Sequence, residues 1–449
     1  MTEVKLQTPS EVRRPAMISL DEALSALLAK AVPLTSVETV PTFDADGRVL
    51  AADLVSPLHV PAHDNSAMDG YAVRCADVTQ AGALLQVSQR IAAGSNGKPL
   101  RAMNAARIFT GAPLPALADA VVMQEDCEVV NGLIGQRGSQ VALGDVRINA
   151  VPQPGQWIRR AGEDVALGSV VLLKGERLTP ASLGLASSIG LNTLPVAVRP
   201  RVALFSTGDE LVMPGDVAPD QMKPGSIYNS NRFFLRALLQ RLGCVVTDFG
   251  IVPDRREATV AALQQAASQH DLILTSGGVS VGEEDHIKPA VLQLGSIEAW
   301  QIAIKPGKPF VYGEVRREGG DLDGNDPDGA PAPVSGSCHI IGLPGNPVSS
   351  FITFLLLVRP FILRLQGVTD VASKSIAIPA HFTWAKPDKR REFLRVRRNA
   401  TGGLDLFPNQ SSGVLTSVIW GDGMVDNPPE KTIAHGELVQ FIPFAQLVA

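Results

Sequence analysis

The sequence predicts a multidomain chain of α/β and all-β parts, built around a doubly wound, largely parallel α/β sheet. Three observations predict it. At 449 residues the chain exceeds what one hydrophobic core usually holds, so roughly two to four domains are expected. Residues 200–367 alternate short apolar runs with amphipathic helical patterns, the pattern of a parallel sheet with crossover helices. Residues from about 75 to 150, and the last stretch of about 80, show period-two alternation between turn residues, as small β units do.

Bulk composition narrows the function. The chain is 45% hydrophobic and 19% charged, the balance of a folded globular protein. A net charge of −5 argues against a general nucleic-acid or membrane-surface binder, while local basic pockets for small anions stay open. Cys75, Cys127, Cys244 and Cys338 lie far apart with no CxxC, which fits reduced thiols and a cytoplasmic location and gives no zinc signal. The first twenty residues carry no apolar core of a secretory signal. The run Phe351–Leu357 is too short to span a membrane and is followed by Arg359 and Pro360, so it reads as a core helix.

In chain order, residues 1–16 read as a loose polar tail. Ser19 and Glu22 form a capping-box pattern ahead of Leu20, Ala23, Leu24, Leu27, Leu28 and Ala31, which predicts a helix. Residues 37–50 read as a strand and turn. The stretch Asp64-Asn65-Ser66-Ala67-Met68-Asp69-Gly70 is polar and turn-forming, suited either to a polar ligand or to an Asx-turn network. Strands are expected at 84–91, 105–109, 120–124, 127–130 and 146–148, with Thr110 at the end of one. Arg159 and Arg160 are adjacent, so at least one is expected to be solvated and one is free to face an anion. Thr179 and Pro180 fit N-cap and N1 of a helix to about 190.

In the α/β region the strands are 202–205, 245–249, 271–275, 299–304 and 340–343. Its helices are 231–242, one after Asp254 to about 269, one near 287–294, and a long one from 347 to about 366. Residues 316–338 are rich in Gly, Pro and Asp and read as a disordered or hairpin-tip insertion. Further strands are expected at 375–380, 392–398, 404–407 and 438–442, with Phe393, Arg395 and Arg397 sharing one parity.

Five loops follow the α/β strands. They are Ser206-Thr207-Gly208-Asp209-Glu210, Val252-Pro253-Asp254, Thr275 to Asp285, Lys305-Pro306-Gly307-Lys308-Pro309, and Leu343-Pro344-Gly345-Asn346-Pro347. Ligands of doubly wound folds bind outside the carboxyl ends of the strands, so all five should line one crevice. That crevice would hold the carboxylates Asp209, Glu210, Asp254 and Asp285, two lysines, and the glycine-rich backbone of Gly277, Gly278 and Gly282, with Glu283, Glu284 and Asp285 putting hard oxygen ligands beside the anion site. Taken singly, each loop has a bland reading as a turn or cap. Walker A, GxGxxG, GxSxG and HExxH motifs are absent, and the seven histidines form no convincing pair, so acyl transfer and zinc hydrolysis lack their parts. Magnesium-assisted phosphate-ester chemistry with an oxyanion partner remains.

The segments DNSAMDGYAV, FSTGDEL, TSGGVSVGEED, IKPGKPF and GLPGNPVSSF, in that order, resemble the molybdopterin molybdenumtransferases of the MoeA type, related to the gephyrin E domain. The resemblance implies four parts: an elongated domain from residues 17–55 and 150–199, an inserted β lobe at 56–149, a molybdopterin-binding α/β domain at 200–367 and a C-terminal β barrel at 368–449. It implies a homodimer that inserts molybdate into adenylated molybdopterin with Mg2+, releasing AMP, and a transient contact with a molybdopterin adenylyltransferase. By motif it offers Asp69, Glu210, Asp254, Asp285, Lys305 and Lys308 as catalytic residues, with Glu210, Asp254 and Asp285 as metal ligands. It offers Thr110, Ser206, Thr207, Gly208, Ser276, Gly277, Gly278, Ser280, Pro309, Gly345, Asn346, Ser349 and Arg395 as substrate contacts. Lys305, Lys308 and Arg395 are expected on the molybdate dianion, with tungstate nearly its equal in size and charge. Two departures stand out: the 316–338 insertion is longer than the family pattern, and Ala161 replaces an arginine that some members carry. Adenylyl transfer and a receptor-binding scaffold are the competing readings. DNSAMDGYAV and the C-terminal β domain argue against the first, and the acids and lysines across five loops against the second.

Overall fold

The computed structural model describes residues 17–131, 143–253, 255–278, 287–317 and 336–448. Its centre is a six-stranded sheet in the order Val245–Val252, Arg201–Thr207, Leu272–Ser276, Ser337–Leu343, Pro309–Arg316, Gly295–Gln301. The first four strands run parallel, and the helices Asn231–Arg241 and Arg256–Gln269 fall between them in the chain. The three inner strands of the four, Arg201–Thr207, Leu272–Ser276 and Ser337–Leu343, are largely buried and read as near-continuous apolar runs rather than alternating ones. The last two strands are antiparallel, with Val311 opposite Gly342 and Ala299 opposite Val311. The expected largely parallel sheet is therefore mixed. The cause is the connection: residues 317–336 carry no helical pattern, and a strand that returns without a crossover must pair antiparallel. Arg316 sits opposite Ser337 at the foot of the 316–338 insertion, most of which lies outside the described residues.

The helix from Pro347 to Leu365 is the longest element of the core. It contains a π-helical segment at Phe354–Val358, directly before Pro360. Proline lacks an N–H and its ring crowds the carbonyl four residues back, so a widened turn is the local solution. Its apolar length would suit a membrane, but 83% of it is buried inside the protein. It packs in one cluster with Val202, Leu272, Phe310 and, from the C-terminal region, Phe393, Met424 and Phe444.

The first helix, Leu20–Lys30, carries the expected capping box: Ser19 accepts from the Glu22 N–H, and Glu22 accepts from the Ser19 N–H. Its apolar face, Leu20, Ala23 and Leu27, is buried in that same central cluster. The sequence division groups this helix with the elongated part, at residues 17–55. That part forms its own core from Leu50, Leu54, Leu172, Leu178, Leu194 and Val196, with Val37–Pro41 paired to Thr193–Ala197. The inserted lobe is a six-stranded sheet in the order Ala120–Met123, Gly70–Val73, Asn104–Ile108, Ala83–Ile91, Asp145–Ile148, Cys127–Val130. The C-terminal sheet joins Arg391–Arg398 to Gly423–Asn427, then Leu438–Pro443 and Ile376–Pro379. The short strand Ile304–Lys305 pairs parallel with Arg391 and Glu392, so this sheet extends into the lysine-bearing loop of the α/β unit.

Candidate functional site

The parallel strands end at Val252, Thr207, Ser276 and Leu343, and the antiparallel strand begins at Pro309, opposite Gln301. Strand direction alone therefore brings the five loops to one edge of the sheet. Ser206, Thr207, Gly208, Glu210, Ser276, Gly277, Gly278, Lys305, Lys308, Pro309, Gly345, Asn346 and Ser349 all belong to this edge or to the helix start beside it. Asp254, Ser280 and Asp285 lie outside the described residues.

The edge is short of hydrogen-bond partners. Among the described residues, seven buried side-chain atoms have none, and six of them are here: Ser206 Oγ, Thr207 Oγ1, Asn229 Nδ2, Thr275 Oγ1, Ser350 Oγ and Thr353 Oγ1. Each such orphan costs about 1–3 kcal/mol. Buried polar groups are almost always paired in native structures, so a row of unpaired ones at a strand edge marks a place built for a polar ligand.

Backbone geometry opens the same place. Gly277 has φ +95°, and a Cβ there would lie 2.5 Å from the Thr207 carbonyl oxygen. Gly307, at φ +116°, adjoins Thr353 Oγ1 in the same way. Ser276 and Gly345 are tied by a residue that the sequence reading passed over. Asn231 Nδ2 donates to Ser276 Oγ at 2.8 Å and to the Gly345 carbonyl at 2.7 Å. Its signal was the polar run Asn229-Ser230-Asn231 before a helix, which reads as an ordinary cap. Asn346 is the N-cap of the long helix, yet its side chain makes no capping bond. Ser349 is buried in the helix's first turn.

The charged groups divide. Lys305 Nζ sits 3.2 Å from Glu392 and 3.4 Å from Asp388, both from the C-terminal part. Its charge is thus committed within the protein. Lys308, half-buried, has no ion pair recorded among the described residues, and its carbonyl accepts from the Ile302 N–H. Glu210 is exposed and turned back over Gly208, whose added Cβ would lie 2.5 Å from its Oε2. A carboxylate oxygen there suits a hard cation such as Mg2+. Among the described residues no group of three or more His, Cys, Asp or Glu side chains gathers to hold a metal, and the other two acids offered as ligands lie outside them.

Arg395 differs from what the resemblance offers. It is 1% exposed and donates to the Phe393 carbonyl at 2.9 Å, to Ser417 Oγ at 3.2 Å and to the Ser411 carbonyl at 3.4 Å. Burial pushes its pKa down to about 10, so it stays charged at neutral pH. Facing inward, it holds the 407–412 loop, its backbone N–H donating to Gln410 Oε1 and its guanidinium to the Ser411 carbonyl. The Ser412 carbonyl there caps the Val348 N–H of the long helix at 2.9 Å.

Asp69 and Thr110 meet on the inserted lobe. The Thr110 N–H and hydroxyl each donate to Asp69 Oδ1 at 2.7 Å. These bonds, with Arg107 nearby, hold the carboxyl below its ordinary pKa. No hydrogen bond or ion pair among the described residues joins this pair to the α/β edge. Arg160 is bound to Asp64 at 2.6 Å, and Arg159 is exposed.

A mixed α/β unit with a polar, glycine-lined strand edge, flanked by two β-rich units, defines a multidomain protein whose edge suits a polar small molecule. The comparisons specify it. Residues 18–190 match the MoeA N-terminal region (domains I and II), 203–364 the "Probable molybdopterin binding domain", and 377–444 the MoeA C-terminal region (domain IV). A molybdopterin molybdenumtransferase of Haemophilus influenzae is 39% identical over 96% of this chain and 100% of that one. A molybdopterin molybdenumtransferase 2 of Mycobacterium tuberculosis is 36% identical over 90% of this chain and 94% of its own. A solved molybdopterin biosynthesis MoeA protein of Pyrococcus horikoshii aligns with TM-score 0.77 at 25% identity, covering 95% of this chain and 100% of that chain. The chain belongs to the MoeA family.

Proposed function

We propose that this protein is a molybdopterin molybdenumtransferase of molybdenum cofactor biosynthesis, inserting molybdate into adenylated molybdopterin and releasing AMP. The row of unpartnered hydroxyls at the α/β edge carries the reading, because a polar pterin phosphate supplies what those groups lack. Lys308 attracts the molybdate dianion, and the first turn of the long helix adds its positive dipole end. Glu210, with Asp254 and Asp285, would hold Mg2+, which supplies charge neutralisation on the phosphoanhydride. The two dithiolene thiols displace molybdate oxygen, which leaves as water with the thiol protons, while a water oxygen cleaves the phosphoanhydride and AMP departs.

The remaining parts of the reading rest on separate observations. The C-terminal sheet closes as a small barrel, a reading supported by the Ala380–Leu404 bridge that links its last strand back to Leu404–Leu406. The protein acts as a homodimer, so that the Asp69–Thr110 pair of one copy can serve the α/β edge of the other. Phe43 supports this: it is 96% exposed beside an open groove of about 610 Å³ lined by Pro180, Leu183 and Leu191. Sedimentation is expected to give twice the 47.5 kDa chain mass; a monomer at micromolar concentration sinks the dimer. Four free thiols support a cytoplasmic location, and an adenylyltransferase of the same compartment would hand over the substrate.

The deciding assay is AMP release from adenylated molybdopterin with Mg2+, with and without molybdate. Molybdate-stimulated release together with active cofactor is the expected result. Consumption of ATP with free molybdopterin would move the assignment to adenylyl transfer, and tight binding without turnover would make the protein a carrier or scaffold.

A further inference from the structure

The inserted lobe carries a second cationic feature that the reading above does not use. Arg90 and Arg107 stand directly opposite each other on neighbouring strands, and Arg107 is in turn opposite Tyr71. Like charges placed opposite on a sheet repel. Here both guanidinium groups lie over one ring, Arg90 at 4.5 Å and Arg107 at 4.7 Å from the centre of Phe109. Arg107 also lies 5.3 Å from the Tyr71 ring centre. It is fixed further by donating to the Gly70 carbonyl at 3.0 Å and to Gln124 Oε1 at 2.7 Å. Neither arginine makes an ion pair among the described residues; the carboxylate nearest in influence is Asp69, whose pKa Arg107 helps the Thr110 hydrogen bonds to lower. Arg90 is exposed and its N–H donors face no recorded acceptor.

Phe109 is followed by Thr110, and Tyr71 is preceded by Gly70 and Asp69, so the two arginines stand at the same end of the sheet as the Asp69–Thr110 pair. A pair of cations pinned on an aromatic ring, neither of them in an ion pair among the described residues, is preorganised for a bidentate oxyanion. We propose that Arg90 and Arg107 form a phosphate subsite on the lobe, which takes the phosphate of the nucleotide end of the adenylated substrate. This rests on the insertion reading for the identity of the nucleotide. The subsite would explain why the lobe, which shares no recorded hydrogen bond with the α/β edge, carries motif residues at all: it grips the part of the ligand that becomes AMP.

The test is AMP binding by calorimetry to the full-length protein with Mg2+, using wild type, Arg90→Ala and Arg147→Ala, with adenosine as the phosphate-free probe. Arg147 lies on the same sheet opposite Leu84, six residues along the strand from Arg90 and so roughly 20 Å away. Arg90→Ala is expected to weaken AMP about tenfold or more, as loss of a charge-assisted hydrogen bond does. It should leave adenosine unaffected and the melting curve unchanged, since the side chain is exposed. Arg147→Ala should bind AMP as wild type does. Equal AMP affinity in wild type and Arg90→Ala overturns the subsite. An equal loss in Arg147→Ala, or no AMP binding by wild type, overturns it as well. Because binding is read without turnover, Arg90-dependent AMP affinity in a protein that fails to release AMP would sink the insertion reading and leave the subsite standing.

Discussion

Lys308→Ala is expected to lower molybdate-stimulated AMP release by about a hundredfold or more, the usual loss when one preorganised oxyanion partner is removed. Lys305→Ala, three residues away in the same motif but in a different environment, is expected to behave differently. Lys305 bridges the α/β loop to Glu392 and Asp388, and Glu392 is fully buried. Removing it strips a cation from a buried carboxylate, which costs several kcal/mol when both partners are buried. Lys305 is 37% exposed, so solvent screening reduces that cost to about 1–2 kcal/mol. The Trp384 indole, donating to Glu392 at 2.7 Å, retains part of the support. Initial rates against molybdate concentration, with urea unfolding of the same variants, separate the two lysines. Full activity in Lys308→Ala would remove it from the anion site. Equal kinetic losses at unchanged stability would mean that the Lys305 ion pairs open when the ligand binds.

Local patterns made the site loops legible in the sequence. Glycine and proline clusters after apolar runs gave strand ends, and topology placed strand ends together. The 245–252, 201–207, 272–276 and 337–343 strands needed nothing more. What stayed hidden depends on contacts between distant residues. Nothing near Leu20–Lys30 says that its apolar face will meet residues 202, 272 and 357 rather than the elongated part that follows it. The strand Pro309–Arg316 was missed altogether, because its start belongs to the 305–309 loop motif, and its antiparallel pairing went unseen with it. Asn231 reads only as the first residue of a helix, because its bridging of two loops depends on residues 45 and 114 positions away. Lys305 looked free because Asp388 and Glu392 lie more than eighty residues away. Arg395 was rightly read as sharing a parity with Phe393, and both are buried, but parity cannot tell a ligand pocket from a domain core. Arg397, the third of that parity, is exposed and lies 4.5 Å over the Trp420 ring.

Gly277→Ala is expected to cost about 3 kcal/mol of stability and to abolish ligand binding at the edge, while Gly345→Ala leaves the fold untouched. The residues look alike in sequence, each in a glycine-bearing loop of the same crevice. At Gly277 the backbone has φ +95°, which an L side chain resists by roughly 1–2 kcal/mol. The added Cβ would also lie 2.5 Å from the Thr207 carbonyl oxygen and 3.3 Å from Thr207 Oγ1. Thr207 belongs to a central strand held on both sides, so it cannot retreat, and the 277–278 turn must move instead. That movement carries the loop away from Ser206 and Thr207, whose hydroxyls await a partner. Gly345 has nothing within 4 Å of its added Cβ and no positive φ, so alanine there should change stability by less than about 0.5 kcal/mol. Chemical denaturation reads the first difference, and affinity for molybdopterin the second. If Gly345→Ala keeps its stability and still loses affinity, the ligand approaches that backbone closely enough to exclude a methyl group. If Gly277→Ala is as stable and as tight-binding as wild type, the close packing of the 277 turn on Thr207 is not what shapes the site.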